Sequence, residues 1–350
     1  MNLDNIDQIK QADPEQALTV ISNSADQLSF QPELHHEIGE HGEVRNIIIS
    51  GMGGSCLAGL ICQTWLDHDY RLSVPLEVSR DYQLPAYTDS HSLVICVSVS
   101  GNTEETIGSL TDAQNKGAMT TVITSGGKLL ELAIAQHLPY IRLNKISQPR
   151  YGVPMHLLAI AGILEAYQVI DHQPITQLVS SAEGVRQFAR SLAPEVATEH
   201  NPAKKLALDC AGKTPLVYTS RLFSPLAYKW KTSFNENAKN IIWCNEFPEF
   251  NHNEFIGWTS HPIDKPFCVI NLRSNLDSPR INRRLDLTDR LLSGFRPQAH
   301  NLVLVGQSYI EQVINGAILG DMASIYLAFL NGVDPTPVAL VEKFKQELVK

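Results

Sequence analysis

Short apolar runs separated by polar, glycine-bearing turns recur along the chain at intervals that suit strands alternating with helices. Residues 46–50 (NIIIS) are a continuous apolar run, the pattern of a strand covered on both faces. A glycine-rich turn follows, then a helix through 60–66. Residues 74–78 and 93–98 (LVICVS) predict two more strands. Another turn opens a helix from 102 to 116, which Gly117 ends. Residues 120–124 (TTVIT) predict a fourth strand, followed by a helix at 128–137, a short strand at 140–143 and a long apolar helix at 153–169.

The second half repeats the plan. Residues 216–219 (LVYT), 241–244 (IIWC), 267–271 (FCVIN) and 302–305 (LVLV) predict strands, with helices at 222–238, 278–293 and 309–331. Such alternation predicts an α/β fold of parallel sheets with helices on both faces. The 350 residues suit two such domains, divided within the polar, helical stretch 172–212. Residues 1–43 read as a polar helical arm, and 332–337 (GVDPTP) as a break before an amphipathic helix at 338–349.

Composition narrows the function. Hydrophobic residues make up 43% and charged residues 19%, and 28 basic against 37 acidic side chains leave a formal charge of −9. That balance, without long like-charge runs, excludes a general nucleic-acid grip, which needs a basic stripe. It leaves room for a small anionic metabolite held by local dipoles and a few donors. The six cysteines (Cys56, Cys62, Cys96, Cys210, Cys244, Cys268) have no C-x-x-C spacing and read as reduced thiols of a cytoplasmic protein. The polar N-terminus MNLDNIDQIK is no signal peptide. No run of about 18 uninterrupted apolar residues predicts a membrane span. Residues 35–41 (HHEIGEH) look metal-like, but a zincin helix needs histidine at 40, where Glu40 stands, and Gly39 weakens the helix.

Two turns carry the chemistry. Ser50-Gly51-Met52-Gly53-Gly54-Ser55 follows a strand and opens a helix, so backbone N–H groups and a positive dipole end meet an anion. A dinucleotide fingerprint would need glycine at position 56, where Cys56 stands, and Glu77 lies 26 residues beyond Gly51. The second turn, 98–106, places hydroxyls at Ser98, Ser100 and Thr103 around Gly101. An N-cap needs one hydroxyl, not three and a glycine. Two such turns after strands of one sheet meet at its carboxyl edge, where open α/β folds bind ligands. The pair predicts phosphate binding.

GMGGS (51–55) and SVSGNTEET (98–106) resemble the sugar isomerase (SIS) domain. With KWKTSFNENAK (229–239), EFNHNE (249–254) and the C-terminal helix, the chain from about residue 45 onward resembles the bifunctional phosphoglucose/phosphomannose isomerase family. The resemblance implies an α/β fold of two SIS domains, each a parallel sheet flanked by helices on both faces. They would span 44–171 (phosphate-binding) and 195–335 (catalytic), after the arm 1–43 and before a terminal helix 336–350. It further implies a hexose 6-phosphate substrate and a homodimer with active sites near the subunit interface. The reaction would interconvert glucose 6-phosphate, fructose 6-phosphate and mannose 6-phosphate through a cis-enediol(ate), with no metal or other cofactor.

The resemblance also assigns roles. Gly53, Gly54, Ser55, Ser98, Ser100 and Thr103 would hold the 6-phosphate. Glu236 would be the base, His252 would assist ring opening, and Arg150 in QPRYGVP would face the enediolate. Lys345 would help open the ring, with Lys343 as its rival. These residue types suit the reaction. A carboxylate serves as base once partial desolvation raises its pKa, and a fixed guanidinium stabilises developing oxyanion charge. Cys56, where the family has a small residue, is expected to crowd the helix start, and 219–225 (TSRLFSP) has fewer glycines than some relatives. The second domain lacks an SxSGxT turn, so it would supply catalytic groups to a site shared with the first. The alternatives are a non-catalytic SIS sensor of a sugar phosphate, an SIS isomerase of another sugar phosphate, and a nucleotide-dependent dehydrogenase, which Cys56 disfavours.

Overall fold

A computed structural model describes residues 1–260 and 266–348, in two compact units. One comprises 24–186 with 306–314; the other comprises 1–23, 187–305 and 315–350. The expected arm 1–43 therefore divides between them. Two short helices, α1 (Ile6–Ala12) and α2 (Ala17–Ser22), go with the second unit, burying Leu3, Ile9, Leu18 and Ile21. These apolar residues are too widely spaced to stand out in a polar segment, yet they cover one side of it.

In the first unit β1 (Leu34–His35) and β2 (Asn46–Ser50) precede α3 (Gly54–Tyr70), β3 (Leu76–Ser79), β4 (Ser92–Ser98) and α4 (Glu104–Asn115). Then come β5 (Met119–Thr124), α5 (Gly127–Ala135), β6 (Tyr140–Arg142), α6 (Val153–Ala166) and α7 (Gln173–Ser180). The sheet order is β1-β6-β5-β4-β2-β3, parallel except for β1, which pairs antiparallel with β6. Every residue of β4 is buried, as are Ile47, Ile48 and Ile49 of β2, because helices cover both faces of a central parallel strand. Ile48, Val94, Cys96 and Val122 pack with Leu110 of α4 and Leu129 of α5 to make the core on one face. Strand β3 starts two residues later than the run 74–78 predicts.

Helix α8 (Ala182–Ser191) carries the chain out of this unit. The second unit continues with α9 (Pro202–Cys210), β7 (Thr214–Ser220), α10 (Ser224–Asn237), β8 (Trp243–Phe247) and α11 (Glu254–Gly257). It ends with β9 (Phe267–Arg273), α12 (Pro279–Leu291), β10 (His300–Val303), α13 (Tyr309–Leu330) and α14 (Ala339–Leu348). Its sheet runs β10-β9-β7-β8 and all its strands are parallel. The expected strand 241–244 begins at Trp243, and Ile241 is exposed. Apolar character alone does not separate a strand from the apolar residues leading into it. The stretch 172–212, expected to be polar and helical, contributes α7, α8 and α9. Helix α13 is long and apolar enough by composition to cross a membrane, but 94% of its apolar window is buried in the protein. The last predicted helix, 338–349, runs to Leu348; residue 349 lies outside the described residues.

Candidate functional site

In the first unit, β2 and β4 are neighbours in register, Ser50 opposite Cys96, so the turns that follow them emerge side by side. A hydrogen bond ties them together: the Val99 amide donates to Ser55 Oγ at 3.3 Å. Within the second turn Ser98 Oγ and Thr103 Oγ1 share a hydrogen bond of 2.8 Å, and the Gly101 amide donates to Ser98 Oγ at 3.1 Å. The Asn102 amide donates to Ser100 Oγ at 3.3 Å. Ser55 and Ser98 are buried, whereas Gly53 and Ser100 are exposed. Neither α3 nor α4 has a side-chain cap on its first amides. Free amides and hydroxyls gathered at two helix starts are the donor set that an oxyanion takes up.

Close approach requires glycine at Gly101 and at Gly54. Gly101 has φ +68°, and a Cβ there would lie 1.7 Å from the Gly126 carbonyl oxygen. A Cβ on Gly54 would lie 2.6 Å from the Arg150 amide nitrogen. The first contact exposes a third turn that sequence reading passed over: Thr124-Ser125-Gly126-Gly127, between β5 and α5. Ser125 Oγ donates to the Val99 carbonyl at 2.5 Å, and the Lys128 amide donates to Asn102 Oδ1 at 3.0 Å. The signal was present in the sequence, as two glycines after a predicted strand.

The second contact places Arg150 against the start of α3. Its turn, Pro149–Tyr151, is held by Gln27, whose amide donates to the Tyr151 carbonyl at 2.8 Å. Arg150 as a whole residue is 1% exposed; its guanidinium donates to Gln148 Oε1 at 2.9 Å and stacks over Tyr151 at 4.8 Å. His156, one turn into α6, is fully buried beside Gly152 with neither ring nitrogen hydrogen-bonded, and burial pulls its pKa down to about 4.

In the second unit Glu236 is half-buried in the last turn of α10. The residues around it are pinned to α13. Lys229 and Asp321 form a buried ion pair, Ser233 Oγ donates to Asp321 Oδ1 at 2.6 Å, and Asn237 Nδ2 donates to Ser324 Oγ at 2.8 Å. His252 is exposed at the end of the turn Glu249–His252. That turn is anchored by Phe250, buried against Tyr218 and Phe247, and by Arg284 Nη1, which donates to Asn251 Oδ1 at 3.0 Å. Glu254, just beyond, accepts from the Tyr218 hydroxyl, and from Asn245 Nδ2 at 2.7 Å. Burial first, then this carboxylate, push the Tyr218 phenol well above its ordinary range. Lys345 is exposed on α14, 3.1 Å from Glu342, and Lys343 is exposed on the same helix.

Comparison with known proteins decides the family. Residues 199–348 match the bacterial phospho-glucose isomerase C-terminal SIS domain. A bifunctional phosphoglucose/phosphomannose isomerase of Caldicellulosiruptor bescii is 35% identical over 317 residues, covering 88% of this chain and 91% of that protein. Its namesake from Aquifex aeolicus is 32% identical over 306 residues, covering 87% and 91%. The chain belongs to the bifunctional phosphoglucose/phosphomannose isomerase family. The SIS fold is seen again in a glucose-6-phosphate isomerase-like protein from Thermus thermophilus, with TM-score 0.65 and 19% identity over 99% of both chains.

Within this phosphoglucose/phosphomannose isomerase family member, the expected departure at Cys56 proves local. The thiol is buried, donates to the Gly53 carbonyl at 3.1 Å and is pushed up to about 11 by burial, so it fills the helix start as a neutral side chain. Arg221 in the 219–225 stretch is exposed and pairs with Glu246 at 3.0 Å. Residues 35–41 are occupied structurally: His35 stacks on Tyr140 at 4.8 Å, and His36 Nδ1 lies 2.9 Å from the Leu138 carbonyl. Among the described residues no group of three or more His, Cys, Asp or Glu side chains is placed to hold a metal.

Proposed function

We propose that this protein interconverts glucose 6-phosphate and fructose 6-phosphate, and also mannose 6-phosphate, through a cis-enediol(ate). The observation that carries the reading is the joined pair of turns, Ser55 to Val99 and Ser98 to Thr103, in a chain of this family. Gly53, Gly54, Ser55, Ser98, Ser100 and Thr103 hold the 6-phosphate. This group lies far from the reacting carbons, so its binding supplies positioning energy. Glu236 removes the C2 proton of the open aldose and returns it to C1, while the hydroxyl proton passes from O2 to O1. Arg150 faces the negative charge that develops on the enediolate oxygen. His252 and Lys345 move the protons that open the ring. General acid–base help of this kind contributes roughly 10²–10⁴-fold. Mannose 6-phosphate arises from the same intermediate when the proton returns to the other face of C2. The reading includes a cytoplasmic homodimer, which light scattering of the purified protein checks.

The test is a coupled assay on fructose 6-phosphate with EDTA present, following glucose 6-phosphate and mannose 6-phosphate separately. Formation of both is the expected result, and glucose 6-phosphate alone removes the second activity. Formation of neither, by protein that still binds the sugar phosphate, overturns the reading in favour of a sensor or another SIS substrate.

A further inference from the structure

Helix α10 meets α13 along two stripes. One is apolar and led by Trp230, whose Nε1 donates to the Gly316 carbonyl at 2.8 Å. The other is polar: Lys229, Ser233 and Asn237 stand four residues apart on one face of α10, and all three are buried. Asp321 and Ser324, three apart on α13, are buried opposite them. Hydrogen bonds link the set residue to residue. Lys229 Nζ donates to the Asp321 carboxylate and, at 2.8 Å, to Ser233 Oγ, which donates to Asp321 Oδ1 at 2.6 Å. Asn237 Nδ2 donates to Ser324 Oγ at 2.8 Å, and Ser324 Oγ donates to the Asp321 carbonyl at 2.8 Å.

The helix ends directly after Asn237. The Ala238 carbonyl accepts from Asn331 Nδ2 at 3.1 Å, and Lys239, at φ +49°, donates from Nζ to the Asp334 carbonyl at 2.5 Å. Asn331 and Asp334 follow α13, so the last turn of α10 is tied to that helix and the chain leaving it. A buried ion pair commonly stabilises no better than apolar side chains of the same volume. What a fully bonded polar set adds is a single allowed arrangement. A slip of α10 by one residue would leave Lys229 and Asp321 buried and unmatched. It would also swing Glu236 by about 100° around the helix axis. The network therefore fixes rotation and register at the turn that carries Glu236.

We propose that Asn237 is a positioning residue for Glu236, acting through its bond to Ser324 and the Asp321–Lys229 pair behind it. The proposal rests on Glu236 being the base. Removing a proton from carbon needs the carboxylate held in a near-attack geometry, and a displacement of about 1 Å costs on the order of 10²-fold. Loosening the last turn of α10 slows proton transfer. It leaves binding of the 6-phosphate, assigned to turns of the first unit, as it was.

The test measures kcat and KM for fructose 6-phosphate in Asn237→Ala, Ser324→Ala and the double variant. The folded fraction of each is taken from circular dichroism and denaturant unfolding. Each single variant should lower kcat per folded molecule about 10- to 100-fold, with KM within about twofold. The double variant should be no slower than the slower single one, because both changes remove the same bond. Losses that multiply in the double variant would overturn the proposal, as would losses that only follow the folded fraction. Glu236→Gln, assayed alongside, separates the two readings. Should it be inactive while Asn237→Ala keeps its kcat, the positioning role falls and the base assignment stands. Should Glu236→Gln keep full turnover, both fall. If Asn237→Ala does not fold, Ser324→Ala, which removes only a hydroxyl, decides: an unchanged kcat overturns the proposal.

Discussion

The phosphate-type turns of the first unit and the segments carrying Glu236 and His252 in the second are built on different principles. The turns present backbone amides and short hydroxyls, and their shape depends on side chains that are absent. Gly101 has no room for a Cβ beside Gly126, and Gly54 has none beside Arg150. In the second unit the side chains proposed for acid–base chemistry, Glu236 and His252, are longer than these hydroxyls. Their placement depends on anchors that do no chemistry: the Lys229–Asp321 pair behind α10, and Phe250 with the Tyr218–Glu254–Asn245 bonds around His252. The shape of the two turns is therefore written into local backbone conformation. The placement of Glu236 and His252 is written into how distant elements hold a helix end and a turn.

The contrast can be broken most sharply at Glu236. We expect Glu236→Gln to lower kcat by at least about 10² while leaving sugar-phosphate affinity within about twofold. Unchanged turnover would remove the base assignment. Next in size is the anchor. Asp321→Ala leaves the Lys229 ammonium buried without its carboxylate, and we expect it to destabilise the protein by about 3–5 kcal/mol in denaturant unfolding. A loss under about 1 kcal/mol would show that α10 is held by other contacts.

His156 sharpens the comparison from the first unit. Its folded pKa is pulled from 6.5 to about 4, so the unfolded chain binds the extra proton first. The neutral buried form is therefore without penalty above pH 6.5, and stability falls as the pH drops toward 4. The loss at the lower end should be roughly 3 kcal/mol. His156→Leu should flatten that part of the stability–pH profile; an unaltered slope would mean other groups set it. The smallest effect is expected from Ser100→Ala with Thr103→Ala. It should raise KM about tenfold at nearly constant kcat, from loss of hydrogen bonds to a charged group. An effect on kcat alone would reverse the division between the two regions.

Much of this was legible in the residues. The NIIIS and LVICVS runs announced central strands because parallel strands buried on both faces leave no polar alternation to confuse the pattern. Ser98, Ser100, Gly101 and Thr103 marked a candidate phosphate turn because three hydroxyls exceed what capping requires. The 124–127 turn stayed hidden although its glycines were visible, since only its close approach to Gly101 joins it to the 98–106 turn. Residues 1–23 read as part of a single arm, and in fact pack with the second unit, because sparse apolar positions do not name the unit they will cover.

The sequence by itself determined the α/β alternation, the two candidate anion-binding turns and the candidate acid–base residues, because each depends on neighbours within about ten positions. Tertiary structure alone decided the rest: that Arg150 lies against α3, and that Asp321 neutralises Lys229. Those pairings join residues far apart in the chain. Which distant side chains meet is set by sheet order and helix packing, which no local pattern of residues encodes.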